Sequence, residues 1–481
     1  MGEVVPSSPA PAPAMRLYVD GCPGCDMERK KESNKGVPYK ELFFVAITTI
    51  ASSLPISSLF PFLYFMIEDL HVAKKEQDIG LYAGFLGASY MVGRCFASLF
   101  WGVVADRIGR KPIIIFSVFS VVIFNTLFGL SVKYWMAITT RFLLGALNGM
   151  LAPIKAYSIE VCRPEHQALG LSIVSTAWGI GLVIGPAIGG YFAQPAKQYP
   201  NIFSDNSVFA RFPYLLPCLC ISLFAVVVLA SCIWLPETLH KHKNIVGEVE
   251  MSGDSRSPQT EEIHPEKSLY KNRPLMSSII AYCVFTLHDT AYSEIFSLWA
   301  VSDRKYGGLS FSSKEVGQVL AVAGAGLLVY QLFIFRPVYK FLGSVNSCRA
   351  ASALSIPILA AYPFMTHLSG FTLGLALYLA AIVKGVLSMT IITGTSLLQN
   401  YAVPQGQRGA ANGISTTAMS FFKAIAPAGA GVLFSWAQKR QHAAFFPGDQ
   451  IIFLILNVVE FIGLILTFKP FLVVPEQYDS K

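Results

Sequence analysis

Gly102-Val103-Val104-Ala105-Asp106-Arg107-Ile108-Gly109-Arg110-Lys111 is a short polar gap between two long apolar stretches. It puts small residues where two helices come close, an acid at a helix end, and three cations on one face of a membrane. Asp106 there can accept hydrogen bonds from a neighbouring helix N-terminus or pair with an arginine, and such a contact can hold one conformation and release in the other. A plain basic loop would account for Arg107, Arg110 and Lys111 but not for Gly102, Gly109 and the acid at these spacings. The gap is therefore expected to be a gated junction between helices.

The rest of the chain supplies the membrane. Of its 481 residues 53% are hydrophobic and 14% charged, where a soluble protein carries roughly 25% charged residues. Twelve apolar stretches long enough to span a bilayer run from residue 41 to residue 470. Lys and Arg concentrate in the tails and in the loops after even-numbered spans, so the positive-inside rule puts both termini in the cytosol. That bias explains the net charge of +8 and gives no support to nucleic-acid binding.

The expected organisation is a cytosolic tail at 1–40, a six-helix half at 41–235, a solvated cytosolic linker at 236–274, a second six-helix half at 275–470 and a cytosolic tail at 471–481. The first 40 residues lack the apolar core of a cleaved signal peptide, so the first span is expected to act as the insertion signal. Residues 166–192 align without gaps to 407–433: Ser175-Thr176-Ala177 falls on Thr416-Thr417-Ala418, Pro186 on Pro427 and Gly190 on Gly431. A parallel repeat of two six-helix halves follows. The fold class is all-α, polytopic and membrane-embedded, and a monomer is expected. Nine scattered cysteines imply no disulfide framework.

Three spans carry further chemistry. The fifth contains Gly181, Gly185, Pro186, Gly189 and Gly190, a proline that frees a carbonyl and glycines that allow close helix approach; they are assigned with Gly102, Asp106, Arg107, Gly109 and Arg110 to gating. The fourth holds Arg141, whose insertion costs about 2.5–3.5 kcal/mol, so it should face a cavity or an acid. Lys384 in the tenth span lies almost one repeat later, and Lys423 in the eleventh is a further cavity candidate. These three cations suit an anionic or zwitterionic small-molecule substrate. The seventh span holds His288, Asp289 and Glu294, the proton-coupling candidates, with Asp289 leading. Asp289 and Glu294 are about 140° apart on a helix, so one of them is central at most; Glu294 could instead lie at the exofacial end and meet solvent. Glu460 and Arg94 are further intramembrane charges, Arg94 reaching Asp106 or lipid phosphate. Lys155 and Glu160 should snorkel at the cytosolic end of the fourth span.

The gap at 102–111 resembles the signature loop G-x-x-x-D-R-x-G-R-K of the major facilitator superfamily. The second-half counterpart, Arg336 to Gly343, lacks the acid, so its lock should be weaker or different. Gly181 to Gly190 resembles the exchanger motif G-x-x-x-G-P-x-x-G-G, and Arg141 to Gly149 resembles the pattern R-x-x-x-G-x-x-x-G linked to proton coupling. Cys22-Pro23-Gly24-Cys25, Ala152 to Tyr157 and Glu160 to Gln167 are together similar to the plant zinc-induced facilitator-like transporters. That resemblance implies proton-coupled export of a metal-chelating amino-carboxylate, nicotianamine or a mugineic-acid phytosiderophore, across the plasma or vacuolar membrane. Embedded cations would repel a bare metal ion and attract carboxylates.

Two alternatives stand beside it: exchange of K⁺ or Zn²⁺ for H⁺ on Asp289, Glu294 and Glu460, or a metal-sensing transceptor. Cys22 and Cys25 have half the ligands of a zinc site, and His240, His242 and His264 could contribute, but a solvated loop explains the histidines as well. No cofactor is expected. An enzyme is not expected either, because no phosphate-binding loop, nucleophile elbow or HExxH helix occurs.

Overall fold

A computed structural model describes residues 18, 21–34, 36–239, 269–403, 408–441 and 447–472. Among them the long elements are helices. In the first half they are α1 (Pro23–Ser33), α2 (Tyr39–Ser57), α3 (Leu63–Asp69), α4 (Ile79–Ile108), α5 (Arg110–Gly129), α6 (Tyr134–Leu147), α7 (Leu151–Glu160), α8 (Gln167–Phe192) and α9 (Leu215–Ser231). In the second they are α10 (Arg273–Val301), α11 (Ser313–Val329), α12 (Phe335–Ala361), α13 (Gly370–Tyr401), α14 (Arg408–Gln438) and α15 (Asp449–Leu466). Nine helical segments among the described residues are long and apolar enough to cross a membrane. The other three columns are α4 and α10, which have the length but carry Arg94 and His288, Asp289 and Glu294, and the shorter apolar α15. This is consistent with twelve.

Two columns are broken in mid-membrane. The first breaks between α2 and α3, leaving the last carbonyls of α2 without helical partners. The fourth breaks at Asn148 and Gly149, where a side chain at Gly149 would collide with the Trp101 indole. That indole donates to the Ala146 carbonyl at 2.7 Å.

Gly109 separates α4 from α5 at φ 114, ψ 162, a conformation that favours glycine. The reversal aims the start of α5 at Glu237, whose carboxylate accepts the Arg110 and Lys111 backbone N–H groups at 3.0 and 3.1 Å. An acid at a helix N-terminus satisfies orphan donors and meets the positive end of the dipole. Arg110 pairs with Glu160 of α7 at 3.1 Å, Thr238 donates to Glu160 at 2.5 Å, and the Lys111 ammonium donates to the Ile233 carbonyl at 2.9 Å. Glu160 is thus an anchor rather than a snorkelling end. The expected solvated linker needs the same correction at its start, since 236–239 packs against α5, α7 and α1, and Gly24 N–H donates to the Leu239 carbonyl at 3.2 Å. The tail at 1–40 likewise contains a helix, α1. Gly343 repeats the turn inside α12 at φ 72, ψ 176, but nothing stands within 4 Å of where its Cβ would be. The Asp106 side chain lies outside the described residues.

The two halves meet unevenly. On the face away from α1, the far face, α4 lies on α14 and α8 on α11 through glycine: a Cβ on Gly84 would come 2.8 Å from Gly431 Cα, and one on Gly190 would come 2.8 Å from Gly317 Cα. Toward the face carrying α1, the tail face, Gly102 and Gly413 have nothing within 4 Å of a Cβ, and Ser175, Thr416 and Thr417 are exposed. The seam is closed at the far face and open at the tail face.

Above the far seam, one turn of the first half, Glu76–Asp78, is gripped by the second. Lys305 reaches Glu76 at 2.8 Å and Asp303 at 3.2 Å, Lys439 reaches Asp78 at 2.6 Å, and the Ser435 hydroxyl donates to the Gln77 carbonyl at 2.6 Å. Glu76 first, then Asp303, hold the Lys305 ammonium above the usual lysine range. Exposed pairs are individually weak, so Lys305→Glu is expected to raise the thiol-labelling rate of a Ser313→Cys reporter in the far seam only about threefold to fivefold. Adding Glu76→Lys should return the rate toward the parent value; an unchanged rate in both variants would show that the clasp does not hold the seam.

Candidate functional site

Arg141, on α6, is 2% exposed. Its Nη1 donates at 2.8 Å to the Pro55 carbonyl, one of those left over where α2 ends. The guanidinium lies 5.2 Å from the ring centroids of both Tyr90 and Phe128, a geometry that offsets part of the burial penalty of a cation. Its Nε has no hydrogen-bond partner.

Glu294, on α10 of the other half, is 1% exposed, and neither carboxyl oxygen has a partner. It does not meet solvent at the exofacial end. It rests across the seam on Gly87 of α4, where a Cβ would stand 3.0 Å from Oε2 and 3.2 Å from Oε1, with Pro427 of α14 alongside. The charge acting on it is Arg141, yet among the described residues the two form no ion pair within 4 Å. A buried cation and a buried carboxyl thus stand near each other from opposite halves, each with unused hydrogen-bonding atoms.

Asp289 sits more than a turn nearer the tail face and is half-buried. Its electrostatic partner is Lys423 of α14, which Arg94 and Lys155 also influence. Arg94 stacks over Trp178 at 5.8 Å and, with Lys155, Gly145, Asn148 and Met419, lines a cavity of about 120 Å³; the expected contact with Asp106 falls on a side chain outside the described residues. Asn148 closes the inner end, donating to the Ser52 hydroxyl at 3.0 Å and the Tyr90 hydroxyl at 3.4 Å. Tyr90 therefore separates this cavity from Arg141.

A second buried cluster belongs to the second half alone. His288 Nδ1 lies 3.0 Å from Glu460 Oε2, both almost wholly buried. Lys384 is fully buried, donates to Ser388 Oγ at 2.6 Å and lies 5.1 Å from the centre of the Tyr292 ring; it also acts electrostatically on Glu460. Arg141 and Lys384 each have their own half's partners. The expected pair of equivalent facing cations is better described as one arginine near the seam and one lysine with a resident counter-ion.

In α8, Gly181 and Gly185 lie against Ser53 and Ser57 of α2, Gly189 lies against Ser58, and Gly190 meets Gly317 of the other half. Ser57 donates to the Gly181 carbonyl at 2.9 Å. Pro186 is accommodated inside an unbroken helix. Arg107 is exposed on the tail face. Cys22 and Cys25 are buried at the start of α1, with no group of three metal-ligating side chains among the described residues; His240, His242 and His264 lie outside those residues. Burial raises the Cys162 thiol, in the loop after α7, above its ordinary range.

Glu237, Gly87, Tyr90 and the pairing of His288 with Glu460 were not anticipated. A glutamate right after an apolar span, and a glycine one turn from others on α4, were the available signals for the first two.

The major facilitator superfamily model matches residues 45–427. The chain is 56% identical to Protein ZINC INDUCED FACILITATOR 1 of Arabidopsis thaliana over 467 residues, covering 95% of this chain and 96% of that one. It is 55% identical to Protein ZINC INDUCED FACILITATOR-LIKE 1 of the same plant over 465 residues, covering 96% and 97%. Among solved structures, a D-xylose-proton symporter aligns with a TM-score of 0.67 at 12% identity, over 91% of this chain and 98% of that one, a likeness of fold. The chain is thus a multi-pass membrane transporter of the major facilitator superfamily, in its zinc-induced facilitator branch.

Proposed function

We propose that this transporter is a proton-coupled antiporter exporting a small metal-chelating amino-carboxylate, such as nicotianamine or a mugineic-acid phytosiderophore, from the cytosol. The observation that carries this reading is the pair of buried groups at the seam, Glu294 with neither oxygen partnered and Arg141 with its Nε unpartnered. The tail face is cytosolic in this reading, so the seam is open inward and ready to load. Arg141 receives a substrate carboxylate, with Lys423 at the mouth of the route and Lys384 deeper in the second half. Glu294 becomes the leading proton carrier in place of Asp289, because Glu294 is buried at the seam with both oxygens unpartnered whereas Asp289 is only half-buried. His288 exchanges its proton within the pair with Glu460. The resident membrane is the plasma or vacuolar membrane, and a monomer suffices because both halves of the site lie in one chain.

Direct exchange of K⁺ or Zn²⁺ is the weaker reading. Asp289, Glu294 and Glu460 each have a cationic side chain for company, and a bare metal ion, unlike an amino-carboxylate, brings no anionic group of its own to answer those cations. Metal sensing through Cys22 and Cys25 would leave basal flux to the same machinery.

In proteoliposomes with an acidic trans compartment, nicotianamine or deoxymugineic acid should move against its gradient, and K⁺ offered without a chelator should not. Uptake of K⁺ alone would favour the cation-exchange reading. Arg141→Ala is expected to lower substrate affinity by about a hundredfold or more, the scale of removing one partner of a buried charged contact. Glu294→Gln should abolish the response of flux to the pH gradient while Asp289→Asn keeps it; the reverse pattern would return the proton to Asp289.

A further inference from the structure

We infer that a cavity at the far end of the first half is a second ligand site, which takes a small zwitterion from the far side and holds the far seam shut. The cavity encloses about 490 Å³, inside the range of about 300–1,000 Å³ typical of small-molecule sites. Its walls are the end of α3, the turn after α5 and the segment between α8 and α9, all in the first half, so it stands apart from the route between the halves. Asp69 forms the floor: the Tyr214 hydroxyl donates to its Oδ2 at 2.5 Å, Gln194 Nε2 donates to the same oxygen at 2.8 Å, and the Lys197 ammonium lies 3.4 Å from Oδ1. Gln194 is held at φ 49, ψ 51, a left-handed conformation that a side chain disfavours and that the surrounding structure must impose. Its N–H donates to the Pro213 carbonyl at 2.8 Å.

The rim supplies both signs of charge. Asp205 and Arg211 line the cavity, and among the described residues neither side chain has an ion-pair partner; Arg211 only lies beside the Phe212 ring, 5.6 Å from its centre. A bare anion would meet Asp69 and Asp205, and a bare cation would meet Lys197 and Arg211. A molecule carrying a carboxylate for Arg211 and an ammonium for Asp205 answers both. The link to the seam is one residue further along. Gln198 follows Lys197, and its Nε2 donates to the Gly190 carbonyl at 3.0 Å and to Ser313 Oγ of α11, in the second half, at 3.1 Å, beside the contact of Gly190 with Gly317. A ligand that fixes residues 194–197 therefore fixes the bridge to α11, and it favours the far-closed arrangement by the difference in its affinity for the two states. That this ligand is the exported product, slowing further export as it accumulates, rests on the export reading above.

Equilibrium binding to the purified full-length protein in detergent tests the cavity, with nicotianamine, tricarballylate, which lacks nitrogen, and spermidine, which lacks a carboxylate. Nicotianamine should bind with a component that survives Arg141→Ala and weakens about tenfold or more in Arg211→Glu and in Asp205→Lys, as placing like charges together at a binding site does. Arg211→Lys, which keeps the charge, should bind like the parent, and neither single-sign compound should displace that component. In hydrogen exchange, nicotianamine should slow residues 194–198 and the start of α11 in the Arg141→Ala protein. Adding Gln198→Ala should keep the first effect and lose the second. Unchanged binding in both Arg211→Glu and Asp205→Lys, or binding lost entirely in Arg141→Ala, overturns the cavity site and leaves the export reading standing. Slowed exchange in α11 that persists without the Gln198 amide overturns the bridge. An Arg211-dependent component in a protein that moves no nicotianamine in proteoliposomes keeps the cavity site and removes the export reading. If the parent binds no nicotianamine, the cavity site falls.

Discussion

Backbone meets backbone at the far end of the seam, and the remaining architecture follows from that contact. Gly84 on Gly431 and Gly190 on Gly317 allow two pairs of helices from opposite halves to approach as closely as side chains ever permit. Within a bilayer, association of this kind depends on dispersion and close approach, because lipid is as apolar as leucine. The same approach brings Gly87 under Glu294 and carries the turn Glu76–Asp78 to the second half's lysines. It also fixes the lever: with the far ends touching, the tail ends of α4 and α14 stand apart.

Burial of charge without full compensation is the second theme. An unpaired ionised group in a low-dielectric interior is strongly disfavoured, and such groups shift their protonation or acquire partners instead. The second half meets this demand internally, with His288, Glu460 and Lys384 drawn into one cluster. The first half partly meets it for Arg141, through a helix-end carbonyl and two aromatic faces. Glu294 is left over, belonging by sequence to one half and by contact to the other. A group in that position is sensitive to both the separation of the halves and the chemistry between them.

Much of this was legible in the chain. The turn at 102–111, the apolar spans, the doubling at 166–192 and 407–433 and the branch signature at Cys22–Cys25 and Glu160–Gln167 all rest on local pattern, and local pattern is what a helix or a tight turn depends on. Partners across long separations were not. Nothing in the neighbourhood of Gly109 points to Glu237, and the composition after Pro236 looks like solvated linker because charged residues dominate it. His288 and Glu460 lie on different spans with no shared periodicity. The mid-membrane breaks at Ser58 and Asn148 escaped because both stretches are apolar enough to continue as helix; only packing against Arg141 and Trp101 makes interruption tolerable. Glu294 could be placed on its helix, but whether it met water depended on Gly87, more than two hundred residues away.

The two copies of the tight turn are held by different chemistry. Around Gly109 the corner is tied to α5, α7 and the segment after α9 by a carboxylate cap, an ion pair and two further hydrogen bonds. Around Gly343 the same backbone shape is held to α13 by neutral groups, Ser344 donating to the Gly394 carbonyl at 2.8 Å and the Tyr339 and Tyr401 hydroxyls meeting at 2.8 Å. Salt screens charge and leaves neutral hydrogen bonds largely alone, so ionic strength acts on one corner of this machine and not on its copy.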